Sequence, residues 1–199
     1  MKLLLATNNL GKQNEMRALL EDLDITLISP REIGLTINVT EDGKTYRENA
    51  SLKARAFAQA SGLWALADDS GLEVEVLDGA PGLHSARYAP FPHSTDADRR
   101  RHLLHNLGDH PRPWGARFRC VVALAHHSGE IHYAEGICPG EIISEERGKG
   151  GFGYDPIFLL SPYKRTMAEL TMTEKNSLSH RARAIQGLRP TLLKEKSIQ

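Results

Sequence analysis

Cysteine is scarce: Cys120 and Cys138 are the only two in 199 residues. One disulfide is arithmetically possible, but a disulfide-stapled scaffold and a cysteine-based zinc site are both excluded. Long hydrophobic runs are missing as well. No apolar stretch approaches the roughly 20 residues of a membrane span. Met1 to Ala6 is apolar, yet it is too short for a signal peptide and runs into Asn8-Asn9 without a small-residue cleavage site. Charge of one sign is lacking too, because 25 basic residues face 25 acidic ones. A basic nucleic-acid footprint is therefore absent at the level of the whole chain. There is no internal repeat, no low-complexity segment and no clear linker. These absences predict one domain in a reduced, cytoplasmic setting, with no membrane and no nucleic acid among its partners. Small molecules or a second copy of the chain remain.

What is present reads as alternating strands and helices. Leu3 to Ala6 suits a buried first strand. Met16, Leu19, Leu20 and Leu23 then show helical spacing, and Ile25 to Ile28 reads as a second strand, an opening typical of α/β architecture. Thr45 and Glu48 have capping-box spacing ahead of an alanine-rich helix that Gly62 closes. Leu63 to Ala67 is expected to be a strand ending at Asp68-Asp69-Ser70-Gly71. Leu72, Val74 and Val76 then alternate with acidic residues. A helix follows from about Thr95 to Leu107, and Arg99, Arg100 and Arg101 on it read as a solvated face. Arg117 to Ala125 is strand-like, Ser128-Gly129 turns a hairpin into Ile131 to Ala134, and Ile157 to Leu160 is the last strand. The C-terminal part is helical, with Pro190 expected to kink or interrupt it. His126, His127 and His132 sit around the hairpin turn and read as surface histidines. Trp64 and Trp114 read as packing residues.

Four segments carry chemistry. Thr7-Asn8-Asn9-Leu10-Gly11-Lys12 lies between the first strand and first helix, where free amides and a lysine favour phosphate. It is not a Walker A loop, since the glycine pattern is absent and Gln13 stands at the metal-binding hydroxyl position. A polar cap with a surface lysine is the plain reading of the segment alone. Asp68-Asp69 places two carboxylates side by side, which repel unless a cation or proton intervenes. Mg²⁺ takes one or two carboxylates plus substrate phosphates, and Glu41-Asp42-Gly43 offers another. An aspartate-rich turn is the plain alternative. Gly150 to Pro156 flanks Phe152 with glycines, so the backbone can approach a ligand while the ring offers a stacking face; a glycine hairpin with a core Phe fits too. Finally, Lys175, His180 and Arg181 cluster near a predicted helix start. A cation is unfavourable to the helix there, which invites a ligand; a loop with ordinary surface charges is the plain alternative.

Taken together and in order from residue 2 to residue 185, these segments resemble the inosine triphosphate pyrophosphatase family, the non-canonical purine (dITP/XTP) pyrophosphatases. The resemblance also rests on Glu48-Asn49-Ala50 and on Gly82 to Tyr88, with Asn8 standing where many members have glycine. It implies an elongated α/β fold in which helices flank a central mixed sheet. It also implies a single domain of two lobes over 1–199, an active-site cleft between the lobes, and a homodimer. It further implies hydrolysis of ITP, dITP and XTP to monophosphate and pyrophosphate, with Mg²⁺ as cofactor. By resemblance, Thr7, Asn8, Asn9, Leu10, Gly11, Lys12 and Ser70 bind phosphates and sugar. Glu41, Asp69 and nearby Asp68 hold the metal, and Asp69 accepts a proton with Lys12 assisting. Phe152, Gly153, Tyr154, Asp155, Lys175, His180 and Arg181 bind the base, and Arg87 is a candidate phosphate contact. The rivals are a Maf-like nucleotide pyrophosphatase of different base preference, disfavoured by Ser179-His180-Arg181, and a non-enzymatic nucleotide-binding module. Three clustered carboxylates disfavour the second, because binding alone does not require them.

Overall fold

The structure, a computed structural model, describes residues 1–198. Seven strands form one mixed sheet in the order β2-β1-β3-β4-β5-β6-β7. They are β1 (Lys2–Leu5), β2 (Thr26–Ile28), β3 (Trp64–Val74), β4 (Trp114–Ala125), β5 (Ile131–Ile142), β6 (Phe158–Leu160) and β7 (Arg165–Thr166). The helices are α1 (Leu10–Leu20), α2 (Tyr46–Ser61), α3 (Asp96–Leu107), α4 (Met172–Leu178) and α5 (His180–Ile198). β1 runs parallel to both β2 and β3, which the intervening helices permit, whereas β6 is antiparallel to β5 and β7. The expected mixed α/β class is therefore present. Among the described residues no helix is long and apolar enough to cross a membrane.

The chain divides into two compact units. The first contains Met1–Asp69, Cys120–Gly136 and the C-terminal segment from His180; the second contains Ser70–Arg119 and Ile137–Ser179. Each has its own core. In the first unit Leu3, Leu5, Trp64, Leu66, Cys120, Val122 and Leu124 pack with Met16 and Leu20 of α1 and with Ile185, Leu188 and Leu192 of α5. The intervening residues of β3 point the other way, as strand alternation requires. Alanines at 65 and 67 on β3, and at 50, 54 and 58 on α2, are all buried. In the second unit Leu72, Leu103, Leu107, Trp114, Phe118, Tyr154 and Phe158 form the core. Both tryptophans are packing residues, as their sequence setting suggests, and both cysteines are free and buried.

Several elements differ from the sequence expectation. β7 (Arg165–Thr166) follows β6, so the strand at Ile157 to Leu160 is not the last. β3 does not stop before Asp68 but runs through Asp68-Asp69-Ser70-Gly71 to Val74. Turn-favouring residues stay extended there, with Asp68 paired to Lys12 of α1 and Arg181 of α5 and Asp69 to Asn49 and Lys53 of α2. α5 passes through Pro190 without interruption, and burial of Leu188 and Leu192 on either side holds it. The α3 arginines are not uniformly solvated: Arg101 is exposed, whereas Arg99 and Arg100 are tied down. Local punctuation follows the sequence more closely. Gly62 caps α2 at φ 70°, and the Thr45 hydroxyl accepts from the Glu48 amide, although the Glu48 carboxylate reaches the Lys44 amide rather than closing a full box.

Candidate active site

In the first unit the α1 start is built by short polar links. Asn9 caps the helix by accepting from the Lys12 amide at 3.1 Å, the Asn9 amide donates to the Thr7 hydroxyl, and the Gln13 side chain donates to the Thr7 carbonyl. Leu10 is left 72% exposed in the first turn. One face of α1 then carries Lys12 and Glu15, spaced three apart so that both lie over the same stripe.

β3 brings its two aspartates to this unit on opposite faces. Asp68 is buried on the α1 and α5 side. Its Oδ2 lies 3.1 Å from Lys12 Nζ and accepts from Arg181 Nη2 at 2.9 Å and Nε at 3.2 Å. Arg181 in turn pairs with buried Glu15. Burial alone would raise the Asp68 pKa, but the charges of Lys12, Arg181 and Lys53 outweigh it and hold the carboxyl well below the usual range. Burial likewise opposes the charged form of Arg181, and Asp68 and Glu15 overcome it. Cys120, 3.9 Å from Asp68, has its thiol pushed up to about 12, first by burial and then by that carboxylate, so it stays protonated and unreactive.

Asp69 faces the α2 side. Its Oδ2 accepts from Asn49 Nδ2 at 3.1 Å, and its Oδ1 lies 3.6 Å from Lys53 Nζ. Lys53 Nζ also donates to Glu41 Oε2 at 2.7 Å, so two carboxylates converge on one ammonium. Asn49 accepts from the Gly43 amide at 2.8 Å, which ties the Glu41-Asp42-Gly43 turn to the first turn of α2. A Cβ at Gly43 would fall 2.6 Å from Asn49 Oδ1, so the turn closes only on glycine. Asp69 is raised above the ordinary carboxylate value, chiefly by burial with Glu41 adding, against the opposing pull of Lys53, Lys12 and Asn49. Lys53 is also raised: burial would lower it, and Asp69, Asp68 and Glu41 prevail.

The second unit builds a different site on the glycine-rich loop. Asp155, buried at the start of a 3-10 turn, accepts from Lys175 Nζ at 2.6 Å and from the Phe152 amide at 3.0 Å. Lys175 is itself buried on α4 and stands 5.2 Å from the centre of the Phe152 ring. Gly151 has φ 71°, and a Cβ on it would meet Asp155 Oδ2 at 1.9 Å, so this position admits no side chain. Gly153 is clamped from α3: its amide donates to Asp96 Oδ2 at 2.7 Å and its carbonyl accepts from Arg100 Nη1 at 2.8 Å. Arg100 also forks onto Glu146. Tyr154 is buried, donates its hydroxyl to the Ser85 carbonyl at 2.8 Å, and has its phenol raised by that burial. Ser85 accepts from the Leu72 amide and donates to the Gly82 carbonyl, which gives the Gly82 to Tyr88 segment a supporting place. Arg87 is exposed beside His84.

The predicted residues thus fall into separate groups. Thr7, Asn9, Lys12, Asp68, Arg181, Glu41 and Asp69 gather in the first unit, and Phe152, Gly153, Tyr154, Asp155 and Lys175 in the second. Within the first group Asp68 and Arg181 are each other's buried partners, and the charge of each offsets the other's desolvation. His180 is buried in the first turn of α5, where Gly136 of β5 passes so close that a Cβ would sit 2.1 Å from the His180 carbonyl. In the first unit Asn8 is exposed and Gly11 half-buried, whereas Ser70 is half-buried and falls in the second unit. Glu15, Lys53, Asp96 and Arg100 escaped the sequence reading. The available signals were the three-residue spacing of Glu15 from Lys12 and the four-residue spacing of Lys53 from Asn49.

A model described as the Ham1 family matches residues 3–191. The dITP/XTP pyrophosphatase of Desulforamulus reducens is 50% identical over 187 residues, covering 94% of this chain and 92% of that protein. The protein of the same name from Synechocystis is 49% identical over 189 residues, with 94% and 92% covered. Among solved structures, a HAM1 protein from Coxiella burnetii matches with a TM-score of 0.87 at 42% identity, covering 98% of this chain and 99% of that one. The Ham1 protein of Staphylococcus aureus matches at 0.85 and 38%, covering 98% and 100%.

Proposed function

The chain belongs to the Ham1 family, and on that premise we propose that it hydrolyses ITP, dITP and XTP to the nucleoside monophosphate and pyrophosphate. The observation that carries the reading is the convergence of Glu41 and Asp69 on Lys53, on the same unit as the Lys12–Asp68 pair at the start of α1. A site for a triphosphate needs a fixed cation, a place for a metal and a base for water, and this group offers one of each.

Glu41 and Asp69 suit Mg²⁺, whose usual protein ligands are one or two carboxylates. When bound there, Mg²⁺ would supply charge neutralisation on the phosphate oxygens. The remaining roles fall to side chains. Asp69 orients or deprotonates the attacking water, while Asp68 is committed to Lys12 and Arg181. Asp68, held ionised, fixes Lys12 against the triphosphate, and Arg181 and Glu15 fix Asp68 in turn; on this reading both Asp68 and Arg181 are positioning residues. Lys53 keeps Glu41 and Asp69 from repelling each other and remains a second cation for phosphate. Thr7, Asn8, Asn9, Leu10, Gly11 and Ser70 complete the phosphate and sugar contacts.

The base is assigned to the second unit's loop. Phe152 stacks on it, while Gly153, Tyr154 and Asp155 shape the loop and Asp155 aims the Lys175 ammonium. A donor at the 6-oxo group of hypoxanthine or xanthine meets another donor in adenine, and the unpaired groups penalise ATP. A homodimer in the cytoplasm, where the nucleotide pool lies, completes the proposal and rests on family resemblance.

The test is parallel turnover with Mg²⁺ on ITP, dITP and XTP against ATP, GTP, dTTP and CTP, quantifying pyrophosphate and orthophosphate. Pyrophosphate release concentrated on the first three is expected. Orthophosphate from every nucleotide would replace the proposal with a general phosphatase, and nucleotide binding without turnover would replace it with a binding module.

A further inference from the structure

The first unit holds a second cluster of ligand-type side chains that the proposed reaction does not use. Glu130 and His132, at the hairpin turn and the start of β5, meet Glu195 from the last turns of α5, with one donor atom from each residue within 4.8 Å of the others. His132 Nε2 lies 2.8 Å from Glu130 Oε1. Glu195 is 7% exposed. Its carboxylate has no hydrogen bond among the described residues, and its nearest cation is the exposed Lys194 ammonium at 3.9 Å. A cation held among these side chains would offset the charge of the two carboxylates. The ring of His132 is backed by the buried Trp64 indole at 6.2 Å, and His126 sits against the same indole at 4.8 Å.

We propose that Glu130, His132 and Glu195 form a Zn²⁺ site that ties the β4–β5 hairpin to α5. The donor set decides the metal: Mg²⁺ takes oxygen ligands, whereas one imidazole with two carboxylates suits zinc, and a water fills the fourth position. Tetrahedral zinc with ligands at about 2.0–2.2 Å separates its donors by roughly 3.3 Å, so the trio closes by a side-chain movement of about 1.5 Å. With neutral imidazole the pocket carries two negative charges, which a divalent ion cancels. α5 begins at His180 and Arg181, so the site braces the far end of the helix that starts at the nucleotide-directed group.

The experiment uses the untagged full chain with excess Mg²⁺, titrated with Zn²⁺ by calorimetry and followed by the imidazole resonances in NMR. The expected result is one Zn²⁺ per chain at micromolar concentration, a shift of the His132 resonances and a Tm that rises with Zn²⁺. Glu195→Gln and the exposed Glu130→Gln should each weaken binding by at least about tenfold and flatten the Tm response, with ITP turnover unchanged. Circular dichroism without zinc verifies that each variant folds, and Glu130→Gln decides alone if Glu195→Gln does not. Absence of uptake, zinc that moves only His126 or His127, or undiminished binding in the folded variants would overturn the site and leave an electrostatic cluster.

Discussion

The two units solve the burial of charge in different ways. In the first, four carboxylates (Glu15, Glu41, Asp68 and Asp69) are threaded among three cations (Lys12, Lys53 and Arg181), leaving an excess of one negative charge. Burial lifts Asp69, with Glu41 adding to it, while Lys12, Arg181 and Lys53 crowd its neighbour Asp68 and hold it down. In the second unit one carboxylate, Asp155, meets one cation, Lys175, beside an aromatic ring, and backbone amides supply the rest. An unbalanced network suits a triphosphate and its cation, while a neutralised pair beside a flat ring suits an uncharged base. Chemistry and selection are thereby assigned to different surroundings.

That contrast can be broken most sharply at Asp69. Asp69→Asn should lower kcat by about 10²–10⁴-fold with the fold intact; turnover close to that of the unmutated chain would remove the base from the first unit. Next comes stability. Arg181→Met leaves Asp68 and Glu15 buried with fewer counter-charges and should cost about 3–5 kcal/mol in urea unfolding. Lys175→Met should cost less, since it strips one carboxylate that keeps its Phe152 amide. Equal losses would mean that the two networks are alike after all. The smallest expected effect is at Phe152: Phe152→Ala should raise KM for ITP by roughly 5- to 150-fold, from about 1–3 kcal/mol of stacking, with kcat little changed. A fall in kcat instead would give the ring a part in the chemistry.

Much of this was legible in the linear chain. The helix caps at Thr45 and Gly62, the alternation along β3 and the glycine-rich loop are local signals, and they survive into the structure because nothing tertiary opposes them. Asp69 with Glu41, and Phe152 with Asp155 and Lys175, were gathered by ordered resemblance rather than by spacing. What escaped depends on partners far along the chain. Arg181 reads as an anomalous cation at a helix start until Glu15 and Asp68 are seen beside it. Arg100 reads as one of three surface arginines until Gly153 and Glu146 claim it. Asp68-Asp69-Ser70-Gly71 has the composition of a turn, yet it runs extended and makes ion pairs that no local window contains. Pro190 misleads in the same manner, since helix packing overrides the missing amide.

The adjacency of the two aspartates has a consequence for folding fidelity. β3 is locked to β1 by Leu3 against Trp64, Leu4 against Ala65 and Leu5 against Leu66. A slip of one residue in that pairing would turn every side chain of the strand over. Asp69 would then lie among Lys12 and Arg181, and the pair would trade faces without any change in composition. The chain would keep its charges and lose the proposed base. Strand alignment is thus a form of proofreading here, and the apolar pairs upstream of the aspartates decide which of two identical side chains takes the proposed role.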